Sequence, residues 1–361
     1  MRIIAYFLPQ FYSIPENDKH WGNNFTDWVN AKNAKQYFSN HRVPMIPTKF
    51  GYYDLSDKHT IKHLSDYSIE KGIDGFAYWH YWFGDKKQAL EKVPEEHLRN
   101  MDIKQNFFFA WANTNWTKSW VGDDNSIIFE QKYSKQSSID HFNYLKPFFD
   151  DSRYMRKNGK PVIQVINSDI KEAQDHIIQL EKLAIEKYGH GIHWIFPEIR
   201  DNKRITNYKL SYSLVGFPPG EYAKSNFFFK VKRFLQKYQI YNKPIIISEE
   251  SYLKHFRHIE QKLTKNNYIP CLLSGWDNTP RYKKRGFIIN ASISSILSKQ
   301  FKILFSIINK KNIDIDFVFI KAWNEWAEGN VLEPHKTIDM DDVPTDAIED
   351  FRKLQTKTLI D

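Results

Sequence analysis

The segment Asp316-Phe-Val-Phe-Ile-Lys-Ala-Trp-Asn-Glu-Trp-Ala-Glu-Gly-Asn330 is the strongest structural signal in the sequence. An apolar run typical of a buried strand ends abruptly in a polar, indole-rich stretch. Glu325 and Glu328 lie three residues apart, next to Trp323 and Trp326. Cleaving a glycosidic bond needs one carboxyl group that donates a proton and one that stays ionised, and a flat indole suits a sugar ring. The segment therefore predicts a strand that ends at a carbohydrate site, although most glutamates at this spacing lie on solvated helix faces.

Seven further apolar, β-branched or aromatic runs precede this strand, and longer helix-like segments separate them. Eight strands with helical crossovers indicate an α/β fold, a (β/α)8 TIM barrel with long βα-loops. The predicted strands are Arg2–Leu8, Gly75–Tyr81, Phe107–Ala112, Pro161–Ile166, His193–Ile199, Leu210–Phe217, Pro270–Gly275 and Phe317–Trp323. The predicted helices include Lys58–Lys71, Ser137–Phe149, Ile170–Tyr188, Tyr252–Leu263 and Ser294–Asn309.

The length of the chain fits one domain. A single α/β barrel can hold 361 residues, and no linker rich in proline, glycine or serine divides them, so we expect one domain over residues 1–361. A doubly wound nucleotide-binding sheet would need a glycine-rich turn after its first strand, whereas residues 9–12 read Pro-Gln-Phe-Tyr. Residues 10–57 then form an exceptionally long first βα-loop, in which Trp21, Asp27 and Trp28 are available to shape a cleft.

Composition argues against several classes of protein. No apolar run reaches the roughly 18 residues of a membrane span, so we expect a soluble protein. Cys271 is the only cysteine, which leaves no intrachain disulfide or thiolate metal site. The N-terminal apolar run stops at Pro9 without a cleavage site, which predicts a strand rather than a signal peptide and favours a cytoplasmic location. No recognition helix, zinc pattern or RNP-like motif indicates a nucleic-acid partner.

The net charge of +9 would suit an anionic partner, but lysine is spread along the whole chain. The densest basic stretches are Lys224–Lys243 and Arg281–Arg285. The first is either an amphipathic helix that touches a membrane carrying a lipid-linked glycan, or an ordinary barrel helix with a solvated basic face. The ordinary helix is the simpler interpretation. Peripheral contact with the inner face of the membrane is the alternative, and no obligate protein partner is evident.

Tryptophans concentrate where the predicted strands end. Eight of the eleven fall at or just beyond strands two, three, seven and eight, where a barrel gathers its active-site residues. Aromatic packing under long loops is the alternative explanation. His80 is expected to be a hydrogen-bonding wall residue rather than a metal ligand. We predict substrate contacts from Trp79, His80, Trp82, Trp116, Trp276, Asp277, Trp323 and Trp326.

Four strand-end segments carry a family resemblance. They read Ala5-Tyr-Phe-Leu-Pro-Gln-Phe-Tyr12, Trp111-Ala-Asn-Thr-Asn-Trp-Thr117, Trp276-Asp-Asn-Thr-Pro-Arg281, and Trp323-Asn-Glu-Trp-Ala-Glu-Gly329 with Leu332-Glu-Pro334. The segments resemble the WbsX-type family of polysaccharide and O-antigen gene clusters. That family is similar in turn to glycoside hydrolase family 99, the endo-α-mannosidases built on a (β/α)8 barrel.

The resemblance implies roles for the two glutamates. In family 99 the first assists the substrate's own 2-hydroxyl as a base and the second protonates the leaving oxygen. The reaction is retaining and runs through an anhydro-sugar, so it needs no carboxylate nucleophile. Carried over, Glu325 is the base and Glu328 the acid. The resemblance also makes Asn113, Trp116 and Asn324 candidates for contacts with the sugar or with the residues that hold it.

Two positions depart from the family pattern. Thr114 stands where close relatives usually have glutamate, and Ala327 stands where family 99 has histidine between its two glutamates. The sequence therefore predicts glycosidic chemistry on a surface polysaccharide, O-antigen or capsule, more firmly than mannosidase activity. We expect a retaining glycoside hydrolase or transglycosidase that acts on an oligosaccharide or polysaccharide, free or lipid-linked, and uses no metal or other cofactor.

A glycosyltransferase that uses an activated sugar donor is the competing function, since the WbsX-type family usually carries that label. Such enzymes typically need a nucleotide-binding fold or an Asp-x-Asp metal motif. The candidates here, Asp314-Ile-Asp316 and Asp339-Met-Asp341, precede strand eight and lie in an acidic tail, so both are expected to be incidental. A noncatalytic glycan-binding barrel ranks third, because it would not require both carboxylates.

Overall fold

Eight parallel strands form the centre of the computed structural model, which describes residues 1–118, 123–167, 169–197, 211–213, 222, 226–264, 268–337 and 340–358. Seven of the predicted strands are confirmed, although the predicted residues beyond Pro197 lie outside the described ranges. Of the predicted strand Leu210–Phe217, only Ser211–Ser213 is described, and it forms a strand. The strands are β1 (Arg2–Phe7), β2 (Gly75–Gly84), β3 (Phe107–Trp111), β4 (Lys160–Val165), β5 (His193–Pro197), β6 (Ser211–Ser213), β7 (Tyr268–Ile269 and Cys271–Leu273) and β8 (Phe317–Lys321).

The strands pair in an order in which β1 lies between β2 and β8. From Tyr268–Ile269 the ladder runs through β6, β5, β4, β3, β2, β1 and β8 to Cys271–Leu273. Pro270 separates the two pieces of β7, since proline has no backbone N–H to donate to a ladder. The fold is therefore α/β, with a largely parallel central sheet.

Side chains on one face of this sheet meet across several strands. Tyr6 of β1 donates its hydroxyl to Gln164 Oε1 of β4 at 2.8 Å, although two strands lie between them. Phe319 of β8 contacts both Tyr6 and Phe108 of β3, with ring centroids 5.5 and 6.0 Å apart. Strands three places apart in a flat sheet would be separated by roughly 14 Å, so the sheet curls strongly around these residues.

Helices follow most strands and cover the other face. Ile293–Lys311 is representative: Ser292 caps its first turn by accepting from Ser295 N, and the buried Ile296, Leu297, Phe301 and Leu304 recur at helical spacing. The helices are Pro15–Trp21, Trp28–Lys32, Lys58–Glu70, Lys92–Arg99, Lys135–Asp150, Lys171–Tyr188, Phe227–Lys237, Glu249–Phe256, Ile259–Leu263, Thr279–Tyr282, Ile293–Lys311 and Thr345–Thr358, with short 3-10 helices at Lys283–Arg285 and Trp326–Glu328.

One predicted helix is wrong in its extent. Tyr252–Leu263 is two helices, Glu249–Phe256 and Ile259–Leu263, because the backbone hydrogen bonds around His258 tighten from i−4 to i−3 spacing.

Short strands occur in the connections between the central strands and the helices. They are Ile46–Pro47, Lys87–Ala89, Trp116–Lys118, Asp123–Phe129, Arg156–Lys157, Ile245–Ser248, Phe287–Asn290, Asn324–Glu325, Asn330–Val331, His335–Lys336 and Asp341–Asp342.

Candidate active site

A tight hairpin after β8 presents Glu325 and Glu328. Asn324–Glu325 pairs antiparallel with Asn330–Val331, and the 3-10 helix Trp326–Glu328 forms the turn between them. Gly329 ends this turn with a φ of 63°, in the left-handed region that glycine tolerates best. A Cβ at Gly329 would also lie 2.8 Å from the backbone nitrogen of Asp277. The glycine therefore lets the hairpin lie against the segment that follows β7.

Two sets of hydrogen bonds fix this hairpin to the neighbouring strand ends. The Asn324 side chain accepts from the backbone nitrogen of Leu8 at 2.8 Å and donates to the carbonyl of Leu8 at 3.0 Å, which ties the hairpin to the end of β1. The backbone nitrogen of Asp277 donates to the carbonyl of Glu328 at 2.7 Å. Both carboxylates are thus held by rigid backbone contacts.

A cavity of about 400 Å³ opens beside the hairpin, within the range of roughly 300–1,000 Å³ that is usual for small-ligand pockets. Both Glu325 and Glu328 line it, and its other walls come from the C-terminal ends of the central strands. This is the end of a parallel sheet at which ligands bind. The aromatic side chains that line the cavity are Tyr6, Trp79, Tyr81, Trp116 and Trp276.

Arg281 joins the two glutamates. Its Nη1 donates to Glu328 Oε1 at 2.7 Å, and its Nη2 donates to Glu325 Oε1 at 2.5 Å and to Asp27 Oδ2. The guanidinium is almost completely buried, and so are Glu325 and Asp27. A buried cation is stable only when carboxylates and hydrogen bonds compensate its desolvation, so Arg281 fixes the relative positions of three acidic side chains.

Glu325 and Glu328 have different partners beyond Arg281. Gln10 Nε2 donates a neutral hydrogen bond to Glu325 Oε1 at 3.0 Å. Glu328 instead receives a second cation, because Lys321 Nζ lies 3.0 Å from its Oε2. The same ammonium lies 4.6 Å from the centre of the Trp276 ring, a cation–π distance that holds the lysine at the cavity wall.

These contacts separate the acidities of the two glutamates. Burial raises the pKa of Glu325 to about 7, with Glu328 and Asp27 adding to the rise and Arg281 opposing it. Burial also disfavours the ionised form of Glu328, but Lys321 and Arg281 together outweigh it and lower the pKa of this carboxyl group. Two carboxyl groups whose environments push their pKa values apart are the arrangement that acid–base catalysis requires. Of the two carboxyl groups, Glu325 therefore has the higher pKa and keeps its proton to the higher pH.

The structure places Trp79, Trp116 and Trp276 at the cavity, as the sequence predicts for substrate contacts. Trp116 stacks on Tyr81, with ring centroids 5.0 Å apart and planes 18° apart. Trp79 packs edge-on against Tyr6. The three indoles belong to different strand ends and border one cavity.

His80 and Trp82 do not line the cavity, because side chains alternate along β2. Trp79 and Tyr81 point to the cavity, whereas His80 and Trp82 pack against the helix Lys135–Asp150. There both rings stack on His141, at centroid distances of 5.1 and 4.8 Å. His80 is therefore a buried hydrogen-bonding residue, as the sequence suggested, but neither side chain is placed for direct sugar contact.

Asn113 also lies behind the cavity wall. Its side chain donates to the carbonyl of Asn167 at 2.5 Å and accepts from the backbone nitrogen of Asn167 at 2.8 Å, so it joins the ends of β3 and β4. Asp277 accepts a 2.6 Å hydrogen bond from His41 Nε2 and faces away from the glutamates into a smaller pocket. Both residues shape loops that border the site.

Trp323, Asn324 and Trp326 are buried, and none of them lines the cavity. Trp323 contacts Phe76 of β2, and Trp326 contacts Trp28 of the long first loop, with ring centroids 5.4 and 5.3 Å apart. The two indoles that frame Glu325 in the sequence therefore pack behind it. They support the hairpin instead of forming the sugar platforms that their positions suggested. Trp120, another strand-end tryptophan, lies outside the described residues.

The sequence does not predict Arg281, Lys321 or Gln10 as site residues, and it indicates Asp27 only as available to shape a cleft. Arg281 ends a segment singled out for its tryptophan, and Lys321 is the one charged residue within β8. A lysine at the end of an otherwise apolar strand is the sequence signal for this role. Gln10 follows β1, and Asp27 reaches the site from the long first loop.

The Asp-x-Asp candidates lie elsewhere. Asp316 precedes β8 at the end opposite the glutamates and pairs with Lys157. Asp339 falls outside the described residues, and Asp341 is exposed in a short strand. Among the described residues, no group of three or more histidine, cysteine, aspartate or glutamate side chains is arranged to hold a metal ion.

A family model and two curated relatives match most of the chain. The family described as Glycosyltransferase WbsX matches residues 3–342. Two curated relatives, both called uncharacterized protein WxcX and coming from two strains of Xanthomonas campestris pv. campestris, are 26% identical over 337 residues, or 92% of this chain. That match covers 47% of their length, so the chain spans about half of these relatives.

Solved structures resemble the whole chain in fold. A GH99 endo-α-mannosidase from Bacteroides thetaiotaomicron aligns with a TM-score of 0.54 and 14% identity, covering 99% of this chain and 98% of the mannosidase. A glycoside hydrolase-like protein aligns with a TM-score of 0.61 and 11% identity, covering 98% and 93%. At these identities the likeness establishes the fold alone.

Proposed function

The chain belongs to the WbsX glycosyltransferase family, and we propose that it makes or breaks a glycosidic bond in a surface polysaccharide, as a retaining glycoside hydrolase or transglycosidase. Family membership makes the protein carbohydrate-active. The substrate we propose is an oligosaccharide or polysaccharide of the O-antigen, lipopolysaccharide or capsule class, free or attached to a lipid carrier.

One observation carries this proposal: Glu325 and Glu328 line one cavity and are bridged by one guanidinium. The pair supplies a proton donor and an ionised carboxylate within the same site, as glycosidic bond cleavage requires. Trp79, Trp116 and Trp276 supply flat apolar surfaces for the sugar rings. A purely glycan-binding protein would need these surfaces but not two carboxylates with divergent acidities.

The chemistry we propose has two steps. In the first, one carboxyl group protonates the glycosidic oxygen while the other accepts the proton of the substrate's 2-hydroxyl. The bond from C1 to the leaving oxygen then breaks as the 2-oxygen bonds to C1. In the second step the roles reverse, and water or an acceptor hydroxyl opens the anhydro-sugar with net retention. Water gives hydrolysis, and a sugar hydroxyl gives transfer.

The contacts of the free protein favour Glu325 as the proton donor and Glu328 as the base, the reverse of the order that the family 99 resemblance implies. Glu328 faces both Lys321 and Arg281, whereas Glu325 shares Arg281 with Asp27 and otherwise meets only the neutral Gln10. The family order would require the glycan to displace these cations from Glu328 and move the proton between the carboxylates.

The dependence of the rate on the leaving group distinguishes the two assignments of acid and base to Glu325 and Glu328. A variant that lacks the acid regains most of its rate on an aryl glycoside whose phenol leaves without protonation, whereas a variant that lacks the base does not. We expect Glu325→Gln to be the variant that an activated aryl glycoside rescues. Rescue of Glu328→Gln alone would show that the family order holds and that substrate binding moves the proton.

A transferase that uses an activated sugar donor is the second candidate, and the family's description favours it. Purified protein can be incubated with the repeat-unit oligosaccharide of its source organism, with and without nucleotide sugars, and the products followed by mass spectrometry. We expect shortened or transglycosylated products without any nucleotide sugar. Product that forms only when a nucleotide sugar is present would overturn the hydrolase or transglycosidase proposal.

We further propose that the curled sheet closes into an eight-stranded barrel forming one domain. The two pieces of β7 pair with β6 and β8 on either side of Pro270, and the carbonyl of Pro270 accepts from Phe319 N at 2.8 Å. A continuous segment 268–273 would thus join the two ends of the ladder. The (β/α)8 arrangement explains why residues from six strand ends reach one cavity.

A further inference from the structure

The helix Phe227–Lys237 turns its apolar side outward. Phe227 and Phe228 are 72% and 76% exposed, and Phe234 and Tyr238 are 58% and 57% exposed. A helix that packs on a barrel should bury this side, yet the residues it buries are Phe229 and Gln236. We call the exposed residues Phe227, Phe228, Val231, Phe234 and Tyr238 the aromatic face. Contiguous apolar surface of this kind marks an interaction site more often than chance exposure does.

Positive charge surrounds the aromatic face. Lys230 and Lys237 are exposed on the same helix, and no acidic residue occurs between Tyr222 and Ser248. The exposed basic turn Lys283–Arg285 lies beside the helix, because Gln236 donates to the carbonyl of Lys284 at 3.1 Å. An apolar stripe with a cationic border is complementary to a surface that has an anionic outer layer over an apolar interior.

A bilayer with anionic headgroups fits this combination better than a second copy of the chain. Pairing two copies through the aromatic face would bring their lysines together and cost electrostatic energy. Aromatic rings and lysine stems instead suit the boundary between headgroups and acyl chains, where each ring is desolvated and each ammonium meets a phosphate. Within the described residues, no helix is long and apolar enough to cross a membrane, so the contact would be peripheral.

We propose that the aromatic face and the adjoining basic turn dock this protein on an anionic phospholipid surface. The aromatic side chains enter the boundary region, and Lys230, Lys237 and the turn Lys283–Arg285 contact the headgroups. Because the attraction is partly electrostatic, docking weakens as the salt concentration rises.

The docking helix packs close to the cavity. Phe229, on its inner side, contacts Phe287 with ring centroids 5.3 Å apart, and Phe287 stacks on Trp276 at 5.4 Å. Trp276 lines the cavity that holds the glutamates. Docking would therefore hold the cavity beside the membrane, where a glycan attached to a lipid carrier is displayed. This last step rests on the proposed function, whereas docking itself does not.

Vesicle flotation tests the proposal. The full chain is mixed with vesicles of equal parts phosphatidylcholine and phosphatidylglycerol, or of phosphatidylcholine alone, and floated on a density gradient. We expect the protein to float with the anionic vesicles only and to be released by high salt. The triple variant Phe227→Ser, Phe228→Ser and Phe234→Ser should bind the anionic vesicles at least tenfold more weakly.

A control variant changes exposed apolar residues elsewhere. Met101→Ser with Ile185→Ser removes side chains that are 54% and 48% exposed, one in the turn after the helix Lys92–Arg99 and one on the helix Lys171–Tyr188, and this variant should float like the original protein. Equal flotation of the triple variant would overturn the proposal, and so would a failure of the original protein to float. The proposal would also be wrong if the original protein is a dimer that the triple variant converts to monomers, since a second copy would then cover the face.

Activity separates this inference from the proposed function. On a water-soluble oligosaccharide the triple variant should react like the original protein, whereas on a lipid-linked glycan in anionic vesicles it should be slower by about the loss in vesicle binding. If the original protein floats but has no activity on either glycan, docking stands and the proposed function fails. If the original protein is fully active on the soluble glycan but does not float, the proposed function stands and docking fails.

Discussion

At the scale of single residues, Arg281 and Lys321 decide how the two carboxyl groups differ. A guanidinium that bridges Glu325 and Glu328 affects both, so it cannot by itself distinguish them. Lys321 forms an ion pair with Glu328 and not with Glu325, and this ion pair gives Glu328 the lower pKa. Its position as the last residue of β8 fixes that asymmetry in the fold.

Replacing Lys321 by methionine should therefore change the pH dependence of the reaction. Without the ammonium, the pKa of Glu328 rises, so the acidic limb of the kcat/KM profile should move to higher pH. A profile measured from pH 4 to pH 9 checks this. Lys157→Met, which removes an ammonium paired with Asp316 at the opposite end of β8, is the matched control and should leave the limb in place. An unshifted limb in Lys321→Met would contradict the role of Lys321.

The basic limb of the same profile should report Glu325. Its pKa of about 7 means that the proton is present below neutral pH and lost above it, so kcat/KM should fall as the pH rises past about 7. Replacing Asp27 by asparagine removes a neighbouring negative charge, which lowers the pKa of Glu325 and should move this limb to lower pH. A shift to higher pH in Asp27→Asn would show that another group controls the limb.

At the scale of elements, strand alternation explains which site residues the sequence identified. The sequence places Trp79, His80 and Trp82 together at the end of β2, and the prediction assigned all three to the sugar. Period-two alternation sends only Trp79 and Tyr81 to the cavity, and applying it would have corrected the prediction. No local pattern could have placed Asp27, because its distance from Arg281 depends on how the long first loop folds back.

The hairpin after β8 shows a second limit of prediction. The spacing of Glu325 and Glu328 could be identified, but the packing of Trp323 and Trp326 behind them depends on Phe76 and Trp28, which are distant in sequence. The eight strands were predictable because buried parallel strands are continuous apolar runs. The split of Tyr252–Leu263 into two helices was not, since both halves have helix-forming composition.

Glu333 provides a test of how the loop after the hairpin is held. Burial raises the pKa of Glu333 well above its usual range, and Tyr53 donates to its Oε1 at 2.7 Å. The folded protein therefore binds a proton that the unfolded chain releases above about pH 4, so this group costs stability as the pH rises. Glu333→Gln should be at least as stable as the original protein at pH 8 in urea unfolding.

Glu333→Ala is the comparison for that measurement. It leaves a cavity and removes the acceptor of the Tyr53 hydroxyl, and should lower the free energy of unfolding by about 1–3 kcal/mol. A Glu333→Gln protein that is as unstable as Glu333→Ala would show that a charged carboxylate is needed there.

At the scale of the whole molecule, a chain of buried histidines joins the sheet to two helices. His80 Nε2 lies 2.9 Å from His141 Nε2, and His141 Nδ1 lies 3.1 Å from His176 Nε2. Burial lowers the pKa of His80 and His176 to about 3. The folded protein therefore keeps these rings neutral at a pH where the unfolded chain protonates them.

The protein should consequently lose stability in mild acid. Between about pH 6.5 and pH 3 each such histidine lowers the free energy of unfolding by up to ~1.4 kcal/mol per pH unit, because the unfolded chain binds the extra proton. Urea unfolding at pH 7.5 and pH 5 measures this loss. His176→Gln should show a smaller loss than the original protein, whereas His59→Gln, on an exposed helix end, should not. An equal loss in His176→Gln would remove the histidine chain from the explanation.

The central claim is that Glu325 and Glu328 together perform glycosidic chemistry in one cavity. Its most direct test is the turnover and glycan affinity of Glu325→Gln and Glu328→Gln on the repeat-unit oligosaccharide, with Glu172→Gln, outside the cavity, as the matched control. We predict that each of the first two variants loses orders of magnitude in kcat while binding the oligosaccharide nearly unchanged, and that the control is fully active. Full turnover in either Glu325→Gln or Glu328→Gln would contradict the account.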